Sequence, residues 1–191
     1  MLAGYCNCVG ALEDALLLLT IAATGFLLLI NSMFITPINI RMAYKGRYNP
    51  KNPKKYKGDP SNVIYRSLWE RKLMMYLDSH DKVLLWSSEE FCIRYSNPLD
   101  GKWRRYFPDF WVKMINRQGI IETVVIEVKP KAQTIPPLME NKYTVKGRVS
   151  RRWLNQVKTY GMNEAKWKAA DAFCKDRNWK FQIMTEKELG I

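Results

Sequence analysis

Histidine is almost missing from this sequence: among 191 residues His80 is the only one. Cysteine is sparse as well, and Cys6, Cys8, Cys92 and Cys174 form no CxxC pair. Zinc sites of the Cys/His type need such pairs, and an activated serine or cysteine nucleophile needs a histidine beside it. Both chemistries are therefore poor readings. Cys92 and Cys174 are expected to behave as small buried hydrophobes in a reducing compartment. No internal repeat is visible. No recognition helix or base-reading motif stands out either, so little sequence specificity is expected.

A third absence is local. Residues 15–40, "ALLLLTIAATGFLLLINSMFITPINI", carry no charge. Ala15 to Ile30 is long and apolar enough for a marginal transmembrane helix. A signal-like segment fits less well, because no basic region precedes it and Glu13 and Asp14 do. Composition changes abruptly at Met42, so the stretch also reads as translation from an upstream start. A buried or partner-bound helix is the remaining reading.

What is abundant is positive charge, and it lies beyond that stretch. Residues 1–41 hold Arg41 against Glu13 and Asp14, which leaves 30 basic and 16 acidic residues, a net charge of +14, in 42–191. Such a surplus on a small domain points to a polyanionic partner, most often nucleic acid. A generic basic protein would look similar by charge alone. The chain divides into an apolar extension (1–41), a basic arm (42–60) and one folded domain (61–191).

The arm "AYKGRYNPKNPKKYKGDP" reads as extended, not as a packed element. Tyr44, Tyr48 and Tyr56 interleave there with Lys45, Arg47, Lys51, Lys54, Lys55 and Lys57, as in segments that stack on bases. Asp59 and Pro60 look like a helix start, for a helix over about 61–79. Strands are expected in "KVLLWSS", "EEFCIRYS", "WRRYFPDFWVKMI", "IIETVVIEVKP" and "WKFQIMT". Helices are expected at 149–161 and 163–177, and a short one in the terminal "EKELGI". This order gives an α/β architecture, a mixed central sheet flanked by helices.

Within "VVIEVKPK", Glu127 and Lys129 share a strand face, in a segment otherwise apolar. The preceding strand is joined to it by a turn, "NRQG", whose symmetry brings a second acid close: nine residues on either side of Gln118 stand Asp109 and Glu127. Adjacent carboxylates repel, and one stays protonated unless a cation joins them. A hard divalent ion such as Mg²⁺, or Mn²⁺, prefers these oxygen ligands and retains waters suited to phosphate chemistry. Lys129 would then orient or help deprotonate the water, or stabilise charge on the phosphate. The plain alternative is a cross-strand ion pair of no chemical consequence.

"PD" at 108–109 with "EVK" at 127–129 resembles the PD-(D/E)xK nuclease superfamily, which includes restriction enzymes and transposase end-cleaving endonucleases. "YRSLWERKL", "RRYFPDFWVK", "IEVKPK", "NQVKTY" and "KWKAA" extend the likeness to the head completion nucleases of T-even-type bacteriophages. It begins at Met42, covers essentially all of 42–191 and leaves 1–41 unmatched. The resemblance implies a restriction-endonuclease-like fold and Mg²⁺-dependent cleavage of double-stranded DNA, with no small-molecule cofactor. It implies Asp109, Glu127 and Glu70 as metal ligands and Lys129 as the catalytic lysine. It also implies work with phage head, portal or neck proteins, in the host cytoplasm during assembly or in the virion. A membrane would enter only through residues 15–40.

Glu70 reads equally as a solvated helix acid paired with Arg66 or Lys72. Gln156 and Tyr160 lie one helical turn apart, as in a QxxxY element beside the active site of related nucleases, or as an ordinary amphipathic face. Arg66, Arg104, Arg105, Lys131, Lys146, Arg148, Arg151 and Arg152 are the expected phosphate contacts. Two rivals stand beside a head completion nuclease: a structural virion protein with an idle site, and a transposase- or repair-type nuclease outside virion assembly.

Overall fold

The computed structural model describes residues 45–144 and 146–190. Its central sheet has four strands in the order β3 (Val83–Ser88), β6 (Phe110–Ile115), β7 (Ile121–Val128), β8 (Lys180–Met184). The first three are antiparallel and β8 runs parallel to β7. This mixed sheet is consistent with a restriction-endonuclease-like core.

Two helices cover opposite faces. Leu73, Met74 and Leu77 of α1 (Leu68–Ser79) pack with Phe110, Val112, Val124, Ile126 and Val128. The long helix α3 (Arg151–Lys175) sends Cys174 and Phe173 against Trp111 and Val125. Because side chains alternate along β7, Glu127 falls on the face of Val125, under α3. A short helix, α2 (Lys131–Thr134), follows β7. A separate hairpin, β4 (Ile93–Ser96) with β5 (Trp103–Tyr106), packs Ile93, Tyr95 and Tyr106 against Ala170 of α3.

The basic arm is not the loose element its composition suggests. Gly46–Tyr48 (β1) pairs with Val63–Tyr65 (β2), and Tyr48 and Tyr56 are buried in the main core around Trp86. Those two rings therefore have no free face for a base. The close pairing needs Gly46, where a Cβ would lie 2.4 Å from the Tyr65 hydroxyl. Asp78, itself buried, receives the Tyr48 hydroxyl at 3.0 Å and the backbone N–H groups of Lys51 and Asn52 at 2.6 and 3.0 Å.

The expected helix over 61–79 begins at Leu68 instead. Asp59 does cap, through the Ser61 N–H at 2.9 Å, but only a three-residue 3-10 turn (Pro60–Asn62). The β-branched Val63 and Ile64 then join β1, and Ser67 caps α1 through the Glu70 N–H at 3.1 Å. The single strand expected over 103–115 is two, because Pro108 has no N–H to donate to a ladder.

The two expected later helices are one. Gly161 sits inside α3, and a glycine there costs only about 1 kcal/mol against alanine, which packing of Ala170 and Cys174 outweighs. The tail Glu186–Gly190 is hydrogen-bonded turn rather than helix, anchored by the buried Leu189. Cys174 is buried as expected, whereas Cys92 is exposed. No helix among the described residues is long and apolar enough to cross a membrane, and the expectations for 15–40, Cys6, Cys8 and Tyr44 lie outside them.

Candidate active site

The β6–β7 register runs from Ile115↔Ile121 to Phe110↔Ile126, the register of the count about Gln118. Asp109 and Glu127 are the next residues on either strand. Their side chains meet around Lys129, whose Nζ lies 2.8 Å from Glu127 Oε1 and 3.8 Å from Asp109 Oδ2. The cluster is well removed from water, with side-chain exposures of 4% for Glu127, 16% for Asp109 and 25% for Lys129.

Each member is held. Asp109 Oδ2 accepts the Val128 backbone N–H at 2.7 Å, which ties the end of β6 to β7. Glu127 Oε2 accepts the Tyr106 hydroxyl at 2.6 Å. Lys129 donates its backbone N–H to Met184 on β8 at 2.9 Å and its Nζ to the Val128 carbonyl at 3.3 Å. Tyr106 was not anticipated from sequence. Its signal was there to find, three residues ahead of Asp109 in "YFPD", but only the fold of the β4–β5 hairpin brings its hydroxyl to Glu127.

Electrostatics follow from this crowding. Burial, and then the charge of Glu127, push the Asp109 carboxyl well above the usual carboxylate range, against the opposing pull of Lys129 and the Val128 N–H. Burial works to lower the Lys129 ammonium, but Asp109 and Glu127 outweigh it and the net shift is upward. The Tyr106 phenol is raised by burial first and by Glu127 second, so it remains a donor.

Glu70 stands near this cluster without entering it. Its charge adds to the rise of both Asp109 and Lys129. Its oxygens, however, accept the Arg66 backbone N–H at 2.7 Å and the Ser67 hydroxyl at 2.9 Å, which ties Glu70 into the N-terminal cap of α1. The Arg66 side chain pairs with Glu89 at 2.7 Å rather than with Glu70. Among the described residues no group of three or more His, Cys, Asp or Glu side chains is gathered as a metal cage.

The donor set nevertheless fits a hard divalent cation. Asp109 and Glu127 offer carboxylate oxygens, and Asp109 Oδ1 accepts no hydrogen bond among the described residues. With both acids ionised, the pair and Lys129 carry one net negative charge, and Glu70 makes it two. A dication that keeps several waters suits two protein carboxylates and this charge.

The remaining expected residues make no hydrogen bond or ion pair to this cluster among the described residues. Gln156 and Tyr160 line a cleft of about 720 Å³ with Gln133, Ile135, Pro137 and Arg152, between α3 and the segment after β7. Arg104 is ion-paired to Asp100, which occupies one expected phosphate contact. Arg105, Lys131, Lys146, Arg148, Arg151 and Arg152 are all exposed. Lys131 also gives its backbone N–H to Glu186 at 2.9 Å.

Residues 80–186 match the family model for the N-terminal domain of TnsA-like endonucleases. The chain belongs to that family. This TnsA-like endonuclease domain is also 40% identical, over 148 residues, to the head completion nuclease of Enterobacteria phage T4. The alignment covers 78% of this chain and 95% of the phage protein. The family match spans Asp109, Glu127, Lys129, Gln156 and Tyr160, and Glu70 precedes it.

Proposed function

We propose that this TnsA-like endonuclease is a divalent-metal-dependent deoxyribonuclease of PD-(D/E)xK type that acts in phage head completion. The observation that carries the reading is the convergence of Asp109, Glu127 and Lys129 at the open end of one hairpin, largely out of water. Asp109 and Glu127 would hold the ion, Mg²⁺ or Mn²⁺, with Glu70 contributing charge from the end of α1. When bound, such an ion polarises a phosphate oxygen and acidifies a water.

The chain's own residues do the rest. Tyr106 fixes the Glu127 rotamer through its hydroxyl, so the carboxylate needs no reorganisation. The Val128 N–H does the same for Asp109. Lys129, raised above the ordinary lysine range, stays an ammonium at neutral pH, and so serves as a donor and positive charge for the phosphate. Exposed basic residues along α3 and the loop before it, Arg148, Arg151 and Arg152 among them, would track the backbone of double-stranded DNA.

The relative named a head completion nuclease supports action in that process; on our reading the protein processes packaged DNA beside head, portal or neck proteins, in the host cytoplasm during assembly or in the virion. The capping role of Glu70 favours one second reading, a structural virion protein with an idle site. A plasmid-nicking assay with and without Mg²⁺ separates them. Wild type should relax supercoiled DNA only with the metal, and Asp109→Ala should not. Equal survival of the plasmid with both proteins would end the catalytic reading.

A further inference from the structure

The β4–β5 hairpin carries a face that the catalytic site does not use. Its register sets Arg94 directly opposite Arg105, and Ser96 opposite Trp103. Residues opposite each other in an antiparallel pair share a face, so these four lie together. The other face, with Ile93, Tyr95 and Tyr106, is packed on α3. The free face is therefore a small rigid platform. Lys166 of α3 braces it from behind, 5.8 and 5.7 Å above the Tyr95 and Tyr106 rings.

Two features of that platform suit a ligand. Like charges directly across a sheet repel, and neither arginine forms an ion pair among the described residues, although Asp100 is near enough to take Arg104. Trp103 leaves 69% of its surface in water, more than any other large hydrophobic residue among those described. Paired guanidinium groups suit phosphate oxygens, and a bare indole face suits a nucleobase. Bases within an intact duplex are already stacked and a blunt end opens one face of its last pair, so an unpaired base, with its faces free and its ring able to turn, is the better partner. β5 also runs straight into Tyr106 and Asp109, so a ligand on the platform is held at a fixed distance from the catalytic residues.

We propose that the β4–β5 hairpin is a DNA-end wing: Arg94 and Arg105 bind backbone phosphate, and Trp103 stacks on an unpaired base, selecting tailed or frayed DNA over intact duplex. The proposal rests on the reading that DNA is the substrate.

The test is binding in EDTA, followed by fluorescence anisotropy, with a blunt duplex and the same duplex bearing a single-stranded tail. Wild type should prefer the tailed form. Trp103→Ala should lose that preference, with about tenfold weaker binding to tailed DNA and little change on blunt DNA, and Trp103→Phe should keep most of it. Arg94→Ala with Arg105→Ala should weaken both forms and lower the salt dependence by about 0.9 per arginine removed. These side chains point away from the core, and circular dichroism verifies the fold of each variant.

The proposal falls if wild type shows no preference for the tail, or if Trp103→Ala keeps the wild-type ratio. A wild type that nicks plasmids while the hairpin variants bind normally leaves the nuclease reading intact and removes this one. A wild type that needs the hairpin to hold tailed DNA yet nicks nothing does the reverse.

Discussion

Strand β7 holds two glutamates, one near each end, that each meet a lysine. At the turn end, Glu122 meets Lys180 at 2.6 Å, and although Glu122 is 13% exposed the lysine side chain is 58% exposed. At the open end, Glu127 meets Lys129 at 2.8 Å, nearly out of water, with Asp109 as a second carboxylate. Separation is almost the same, and the surroundings are not. The outer pair is screened and has no third charge to accommodate. The inner pair shares one ammonium between two acids in a poor solvent for ions, a state that a cation would relieve. Proximity of opposite charges is thus no sign of chemistry, whereas an unbalanced buried set is.

The largest break in that comparison is catalytic. Lys129→Ala or Glu127→Gln should cut nicking by roughly a hundredfold or more, while Glu122→Gln should leave it within about twofold of wild type. Similar losses from both ends would mean the contrast in environment does not matter. Next comes Tyr106→Phe, which removes only the hydroxyl that fixes Glu127. A loss of roughly ten- to a hundredfold is expected, with a higher Mg²⁺ concentration for half-maximal rate. An unchanged metal dependence would reduce Tyr106 to a core residue.

The third effect is on stability, in metal-free protein. The Asp109 carboxyl is raised in the folded state, so folding favours its protonated form. Its contribution is fully present below the unfolded carboxyl value and is lost as pH rises through the raised folded value. Asp109→Asn keeps an acceptor for the Val128 N–H and removes the buried charge. It should raise the thermal midpoint at neutral pH by a few degrees and flatten the pH dependence between acid and neutral conditions. A lower midpoint would show that the charge is well solvated. Smallest of all, Glu122→Gln should change stability by less than about 1 kcal/mol, an effect that shrinks further in high salt.

Sequence patterns disclosed the hairpin unusually well. The short "NRQG" turn fixed the register, and alternation placed Glu127 with Lys129, so the cluster around Asp109 was readable before any coordinates. Glu70, expected as a site acid, has its oxygens engaged by the local cap of α1, while its charge still acts on Asp109 and Lys129. What escaped depended on contacts distant in the chain. Tyr106 reaches Glu127 only because β4 and β5 fold back onto α3. The break at Pro108, by contrast, was visible as a missing donor and was overridden by the hydrophobic pattern around it.

The docked arm has a practical consequence for anyone dissecting DNA affinity. Lys51, Lys54 and Lys57 are exposed on the same short stretch that supplies Tyr48 and Tyr56 to the core and two N–H groups to Asp78. Deleting residues 45–57 would therefore strip positive charge and core rings together, and a lost gel shift would report unfolding as readily as lost recognition. Charge reversal at Lys51 and Lys54 interrogates the two roles separately, whereas Lys57 is best left in place because its Nζ lies 4.4 Å from the centre of the buried Trp111 ring.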